Sequence, residues 1–163
     1  MMYAETLDGL DPLIVHHDYA LGQSVDSAIV AAMIGKTVGL PLERVYQLTL
    51  GALLHDVGMV FVPENIITSP EPLTVSELAL VQQHPALGWQ LLREGKDADR
   101  NLLAHHVCYQ HHERQDGTGY PRGLIGDNQL ETSQASKYKP GTVHVLGEIG
   151  AVADTYAALS ARR

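Results

Sequence analysis

Cysteine, positive charge and long apolar runs are all scarce in this chain of 163 residues. The single cysteine, Cys108, excludes an internal disulfide and favours a reducing cytoplasm. With 11 basic against 19 acidic residues, the net charge of −8 argues against a broad face for polymeric nucleic acid. The longest fully apolar run, residues 28–34, is far shorter than the about 20 residues that a membrane span needs. We therefore expect a cytoplasmic protein that binds neither a nucleic-acid polymer nor a membrane.

Strand-like alternation is also nearly absent, and the length allows one domain with a real hydrophobic core, since 45% of the residues are hydrophobic. Apolar residues instead recur at helical spacing, which predicts an all-α bundle. The expected helices cover 24–38, 41–58, a segment from Val75, a segment from Pro85, 99–112 and 143–163. For the first helix, the predicted buried face is the apolar stripe Val25, Ala28, Ile29, Ala32 and Met33. For the last, it is the stripe Leu146, Ile149, Val152, Ala153, Tyr156 and Leu159. A long polar and glycine-rich stretch, 113–142, separates the last two helices.

Histidine is what the sequence has in excess, with nine copies, four of them between His105 and His112. Adjacent pairs stand at two predicted helix ends, His55 with Asp56 and His111 with His112. Each pair taken alone is readily explained as charge at a helix end. A bundle can bring both pairs together with His84 and Asp154 from other segments. Imidazole and carboxylate together suit iron, manganese, nickel or zinc better than magnesium or calcium.

Six such ligands are too many for one tetrahedral site with an open position, and they suit two metals that share a carboxylate. Two ions about 3.5–4 Å apart can activate water between them and stabilise a phosphoryl group during displacement. The ligand set therefore predicts phosphoester hydrolysis.

The string HHERQDGTGYPRG adds a specific loop directly after the paired histidines. Gly117 and Gly119 permit backbone angles that other residues avoid, Tyr120 offers an aromatic face, and Pro121 stiffens the exit. Arg114 and Arg122 flank the loop and are candidates for contact with phosphate.

Four strings in this order, LLHDVGM, His84-Pro85, HHERQDGTGYPRG and VADTYAAL, resemble the HD-GYP family, a branch of the HD-domain metal phosphohydrolases. The resemblance covers 18–163, leaves 1–17 as an N-terminal segment, and implies a helical bundle that is short at its C-terminus. It also implies two divalent metal ions, iron or manganese above all, and hydrolysis of the bacterial second messenger cyclic di-GMP.

The resemblance assigns roles to individual residues. It implies one metal held by His55, Asp56 and Asp154, which are also the catalytic candidates, and another held by His84, His111 and His112, with Asp56 bridging. Gly119, Tyr120 and Pro121 match the loop that the family uses for substrate access and for contacts with GGDEF-type or other signalling proteins. Arg163 stands where the family has a basic residue that meets the ligand phosphate, and Arg114 is a further candidate for substrate binding.

Several positions depart from the family pattern. Gln23 replaces a histidine ligand of the first core helix, Tyr19 replaces a glutamate ligand of three-metal members, and Met59 replaces a lysine. Residues 128–142 resemble an insertion, and the chain stops where relatives continue through further helices. These departures keep two alternatives open: a catalytically degenerate module that binds ligand or partner proteins, and a hydrolase of nucleotides or other phosphomonoesters.

The remaining candidates are assigned structural roles. His105 and His106 are expected on a helix face, His144 as a structural or exposed residue, and Cys108 as a small buried hydrophobic residue.

Overall fold

A computed structural model describes residues 18–94, 103–127 and 139–161. The helices in these ranges are α1 Asp18–Thr37, α2 Leu42–Leu53, α3 Glu64–Ile67, α4 Val75–Val81, α5 His84–Glu94, α6 Ala104–Gln110 and α7 Val145–Ser160, with a 3-10 turn over Val57–Phe61. The described residues contain no β-strand, only the isolated bridges Asp116–Ile125 and Ile125–Thr142. The predicted all-α fold of the HD-domain type is confirmed. The segment 1–17 and Arg163 lie outside the described residues, and the proposed division at residue 18 stays a prediction.

The predicted helix over 41–58 is wrong at its C-terminal end. Helix α2 stops at Leu53, and the chain turns through His55 and Asp56 before the 3-10 turn begins. The reason is local, because the His55 ring bonds back to the Ala52 carbonyl at 2.7 Å and competes with helical continuation. The two candidate ligands therefore stand in a turn and not on a helix.

The start signals of α4 and α5 are confirmed. The Thr74 hydroxyl accepts a hydrogen bond from the Glu77 amide at 3.3 Å, and the Glu77 carboxylate accepts one from the Thr74 amide at 2.8 Å. Pro85 stands in the first turn of α5, where its missing N–H leaves no helical bond unmade. This start places His84 at the N-terminal end of α5.

The hydrophobic core lies between α1, α2, α6 and α7. Its buried members are Ala28, Ala31, Leu40, Val45, Leu48, Ala52, Val107, Val145, Leu146, Ile149 and Ala153. Across the described residues, no helix is long and apolar enough to cross a membrane.

The predicted buried faces of α1 and α7 are wrong in part. Val25, Ile29 and Met33 are 43, 54 and 64% exposed, and Tyr156 is also exposed. The residues of α1 that face the core are small instead, among them Ser24, Ser27, Ala28, Ala31 and Gly35. Small side chains let the backbone of α1 lie close to α2 and α7. The inner face of α1 is therefore formed by its small residues and not by its large apolar ones.

Candidate metal centre

Four elements meet at one end of the bundle and bring the six candidate ligands together. The turn after α2 supplies His55 and Asp56, the start of α5 supplies His84, the end of α6 supplies His111 and His112, and α7 supplies Asp154. The donor atoms of Asp56, His84, His111 and His112 all lie within 4.8 Å of one another. The cluster could therefore hold a metal ion.

Asp56 lies at the centre of the cluster, with its two carboxylate oxygens facing different histidines. Its Oδ1 lies 3.1 Å from His84 Nε2 and 3.5 Å from His111 Nε2. Its Oδ2 lies 3.3 Å from His55 Nε2. His55 Nε2 is also 3.3 Å from Asp154 Oδ1. One carboxylate thus joins two groups of ligands.

Three of the histidine rings are oriented by the same kind of hydrogen bond to the backbone. In each, Nδ1 donates to the carbonyl three residues earlier, which assigns the proton to Nδ1 and leaves the lone pair of Nε2 facing the cluster. The distances are 2.7 Å from His55 to Ala52, 2.8 Å from His84 to Val81 and 2.9 Å from His111 to Cys108.

This arrangement fits a bound cation. With both Nδ1 atoms protonated, the Nε2 atoms of His84 and His111 face each other at 3.2 Å as acceptors, and both face Asp56 Oδ1. The buried Nε2 of His55 likewise has no hydrogen-bond partner. Acceptors so close together, with no proton between them, repel unless a positive charge lies among them.

The electrostatics of the cluster favour a positive charge beside Asp56. Burial alone would raise the pKa of Asp56, but the charge of His55 holds it well below its ordinary value. Burial and the neighbouring charges of His111 and His84 lower the pKa of His112 to about 3. Burial opposes protonation of His55, yet Asp56 and Asp154 raise its pKa to about 10. Without metal, His55 therefore also carries a proton on Nε2 beside the two carboxylates, and a bound metal ion would replace that proton.

Gln23 lies at the edge of the cluster, where its Nε2 donates to Asp154 Oδ1 at 2.9 Å. Burial alone would raise the pKa of Asp154, but the charge of His55 and the hydrogen bond from Gln23 lower it. An ionised carboxylate only accepts, so the amide must present its N–H and not its carbonyl oxygen here. Gln23 is therefore a partner of a candidate ligand and not itself a ligand in this arrangement.

Two glycines allow the turn after Asp56 to lie against α5. A Cβ on Gly58 would fall 2.6 Å from the backbone nitrogen of Gly88 and closer still to the carbonyl oxygen of His84. Only the absence of a side chain permits this approach, which places His84 beside Asp56. Sequence reasoning treated Gly58 only as a helix stop and missed this role.

The predicted loop covers one side of the cluster. The Tyr120 ring stacks on His112 with centroids 4.7 Å apart and planes 24° apart. Gly119 packs against the backbone of Glu113, because a Cβ on Gly119 would lie only 2.6 Å from the Cα atom of Glu113. The peptide bond between Tyr120 and Pro121 is cis. Burial and the charges of Asp56 and Asp154 raise the pKa of Tyr120 to about 12.

Buried Glu113 is a second residue that sequence reasoning missed. Its carboxylate accepts backbone bonds from Arg122 at 2.8 Å and Leu124 at 2.7 Å, which closes the loop. Its position directly after the paired histidines is the only signal that the sequence offered.

Arg114 and Arg163 are predicted to contact the substrate phosphate. Arg114 is exposed, and its charge acts on Asp116. Arg163 lies outside the described residues, so its predicted role stays a prediction.

His106 and His144 have structural contacts, as expected. His106 and His144 stack at 4.3 Å, and His144 Nδ1 caps α7 by accepting from the Leu146 amide. Cys108 is fully buried and donates to the His55 carbonyl at 3.4 Å, which joins α6 to the turn that carries the ligands.

A helical bundle that gathers histidines and aspartates from four elements defines an all-α protein with a candidate metal centre. A family model described as HD domain matches residues 10–132, and the chain belongs to the HD-domain family. The family expected from the sequence is confirmed.

Curated relatives agree with this assignment. The chain is 33% identical over 146 residues to a cyclic di-GMP phosphodiesterase of Pseudomonas aeruginosa, covering 90% of this chain and 31% of the relative. It is 30% identical over 160 residues to the cyclic di-GMP phosphodiesterase response regulator RpfG of Xanthomonas campestris, covering 98% and 38%. It is 31% identical over 138 residues to the 3'3'-cGAMP-specific phosphodiesterase 2 of Vibrio cholerae, covering 83% and 23%. The chain thus spans less than two fifths of the length of each of these relatives.

Proposed function

We propose that this chain is a metal-dependent phosphodiesterase that hydrolyses cyclic di-GMP at the cluster around Asp56. The observation that carries the proposal is the convergence of unprotonated histidine nitrogens on one carboxylate, with 3.2 Å between the Nε2 atoms of His84 and His111. The names of the relatives support the substrate, since most of those described act on cyclic di-GMP.

The proposed centre holds two divalent ions, iron or manganese, with nickel or zinc as other candidates. His55 and Asp154 would serve one ion, and the three histidines at 84, 111 and 112 the other. Asp56 is suited to bridge, because Oδ2 faces His55 while Oδ1 faces His84 and His111. When bound, such ions supply an activated water and stabilise charge that develops on the phosphoryl group.

The chain's own residues prepare this chemistry by orientation and charge. The bonds from Nδ1 to backbone carbonyls fix the histidine rings before any ion arrives. The lowered pKa values of Asp56 and Asp154 keep both carboxylates ionised. A net charge of −8 gives the anionic substrate no attraction at long range, so the positive charge that it needs would come from the ions.

The Tyr120 loop borders the same cluster, and contacts with GGDEF-type or other signalling proteins through Gly119, Tyr120 and Pro121 are part of this proposal. A purely binding module is less favoured, because the six candidate ligands are all present and the relatives bear the names of enzymes.

The test is hydrolysis by the chain loaded with Mn²⁺, or with Fe²⁺ under anaerobic conditions. Cyclic di-GMP, 3'3'-cGAMP and a phosphomonoester are offered separately, and products are separated by chromatography. We expect linear dinucleotide from cyclic di-GMP. A chain that keeps its metal bound and yields no product would contradict the proposal. Cleavage of 3'3'-cGAMP and not of cyclic di-GMP would show that 3'3'-cGAMP is the substrate.

Asp56→Asn is the decisive variant, because it keeps the side-chain shape and removes the charge that joins the two groups of ligands. Asp116→Asn is the matched control, since Asp116 is an exposed carboxylate whose partner is Thr118 at 2.9 Å. Activity should vanish in the first variant and persist in the second.

A further inference from the structure

His112 is held differently from the other histidines of the cluster. In the part of the chain that the structure describes, its ring makes no hydrogen bond, whereas three neighbouring histidines are each fixed through Nδ1. Its surroundings are rings: Tyr120 stacked at 4.7 Å and 24°, His84 edge-on at 5.1 Å and 87°, and His111 tilted at 4.1 Å and 46°. Of these three rings, that of Tyr120 lies most nearly parallel to the His112 ring.

Backbone contacts bind Tyr120 to the segment that carries His112. The Tyr120 amide donates to the His112 carbonyl at 3.1 Å. Gly119 lies so close to the backbone of Glu113 and Arg114 that any side chain there would push the turn away. The stack thus depends on the turn folding back on the end of α6.

Glu113 holds this turn closed from inside. It is 6% exposed, and both carboxylate oxygens are used on the loop, Oε1 for the Arg122 amide and Oε2 for the Leu124 amide. Charge-assisted bonds of this kind are stronger than neutral ones. Glu113 follows His112 directly, yet its oxygens serve the loop and not the cluster.

We propose that Tyr120 is a positioning residue that orients His112 for metal binding, and that Glu113 keeps Tyr120 in place. This inference rests on the proposed metal site and adds a specific consequence: the loop and the metal are coupled. By reciprocity, a bound metal stabilises the loop as much as the loop stabilises binding.

The test measures Mn²⁺ affinity and stoichiometry by calorimetry, without substrate, in a double-mutant cycle of Tyr120→Ala and His112→Ala. Tyr120→Ala should weaken binding about tenfold or more, as loss of an outer partner of a ligand does. In the His112→Ala background the same change should have no further effect. Tyr120→Phe keeps the ring and should bind as wild type does.

Matched variants separate positioning from folding. Tyr156→Ala removes an exposed tyrosine on α7 and should leave affinity unchanged. Tyr120→Leu keeps apolar bulk without a flat face and should still weaken binding. Glu113→Gln turns one acceptor into a donor and should weaken binding only while Tyr120 is present. Circular dichroism confirms that each variant is folded.

Two results would overturn the inference alone: full affinity in folded Tyr120→Ala and Tyr120→Leu, or an equal loss with and without His112. A wild-type chain that binds no Mn²⁺ would overturn the proposed metal site, and this inference with it.

Discussion

The contact between Gly58 and α5 gives a prediction that the structure makes quantitative. Replacing Gly58 by alanine adds one methyl group between the turn after Asp56 and the helix that carries His84. The methyl would lie 2.6 Å from Gly88 N and closer to the His84 carbonyl, whereas real Cβ atoms essentially never approach below 3.0 Å. Backbone atoms on both sides cannot rotate away, so the turn and α5 must separate.

The required separation is about 0.4 Å or more, which exceeds the tolerance of about 0.2 Å on metal–ligand distances. It acts directly on the pair His84 Nε2 and Asp56 Oδ1, now 3.1 Å apart. We expect Gly58→Ala to weaken Mn²⁺ binding about 10- to 100-fold. Overpacking should also lower the free energy of unfolding by about 1–3 kcal/mol.

The assay pairs calorimetric Mn²⁺ titration with urea unfolding of the metal-free chain. Gly88→Ala should lose less affinity, because its Cβ would meet Cys108 Sγ at 2.8 Å and Gly58 N at 2.9 Å, closer to the permitted distance. Gly22→Ala is the control, since an added Cβ at this position meets nothing within 4 Å. Because alanine is a better helix former than glycine, this change should stabilise α1 by about 0.5–1 kcal/mol. A folded Gly58→Ala chain with wild-type affinity for Mn²⁺ would refute the reasoning.

Three further predictions follow from single contacts. Gln23→His replaces the amide that donates to Asp154 Oδ1 by a ring nitrogen that can bind a metal. The affinity for a second Mn²⁺ ion, measured by calorimetry, should therefore rise about tenfold or more above that of the wild-type chain. An unchanged affinity for the second ion would contradict this prediction. Burial and the Asp56 charge raise the pKa of the Cys108 thiol, so the folded chain should not react with a disulfide reagent at pH 8 until denaturant is added. Rapid reaction of the native chain would count against the buried position. Thr74→Ala removes the capping box of α4 and should cost about 1 kcal/mol in urea unfolding, and an unchanged midpoint would show that the cap is unimportant.

The pattern of α2 shows where sequence reasoning succeeds. Val45, Leu48 and Ala52 follow one helical stripe and are buried, and His55 in the turn after the helix is buried too. The stripe could be read because α2 packs through side chains of ordinary size, whose hydrophobicity marks the inner face.

Helix α1 shows where the same reasoning fails. Val25, Ile29 and Met33 are exposed while Ser27, Ala28 and Ala31 are buried, since close helix packing favours residues without bulk. No periodicity rule separates these cases without knowledge of the neighbouring helix.

By itself, the sequence determined the all-α class, the family, and the set of histidines and aspartates that could serve as ligands, because these depend on residue type and order. Only the tertiary structure decided how they are arranged: that Asp56 divides its oxygens between two groups of histidines, and that the ring of Tyr120 stacks on that of His112. It also gave Gln23 a partner in Asp154. Distances between residues far apart in the chain depend on how the helices pack, and packing is fixed by backbone approaches, such as that at Gly58, which residue spacing does not encode.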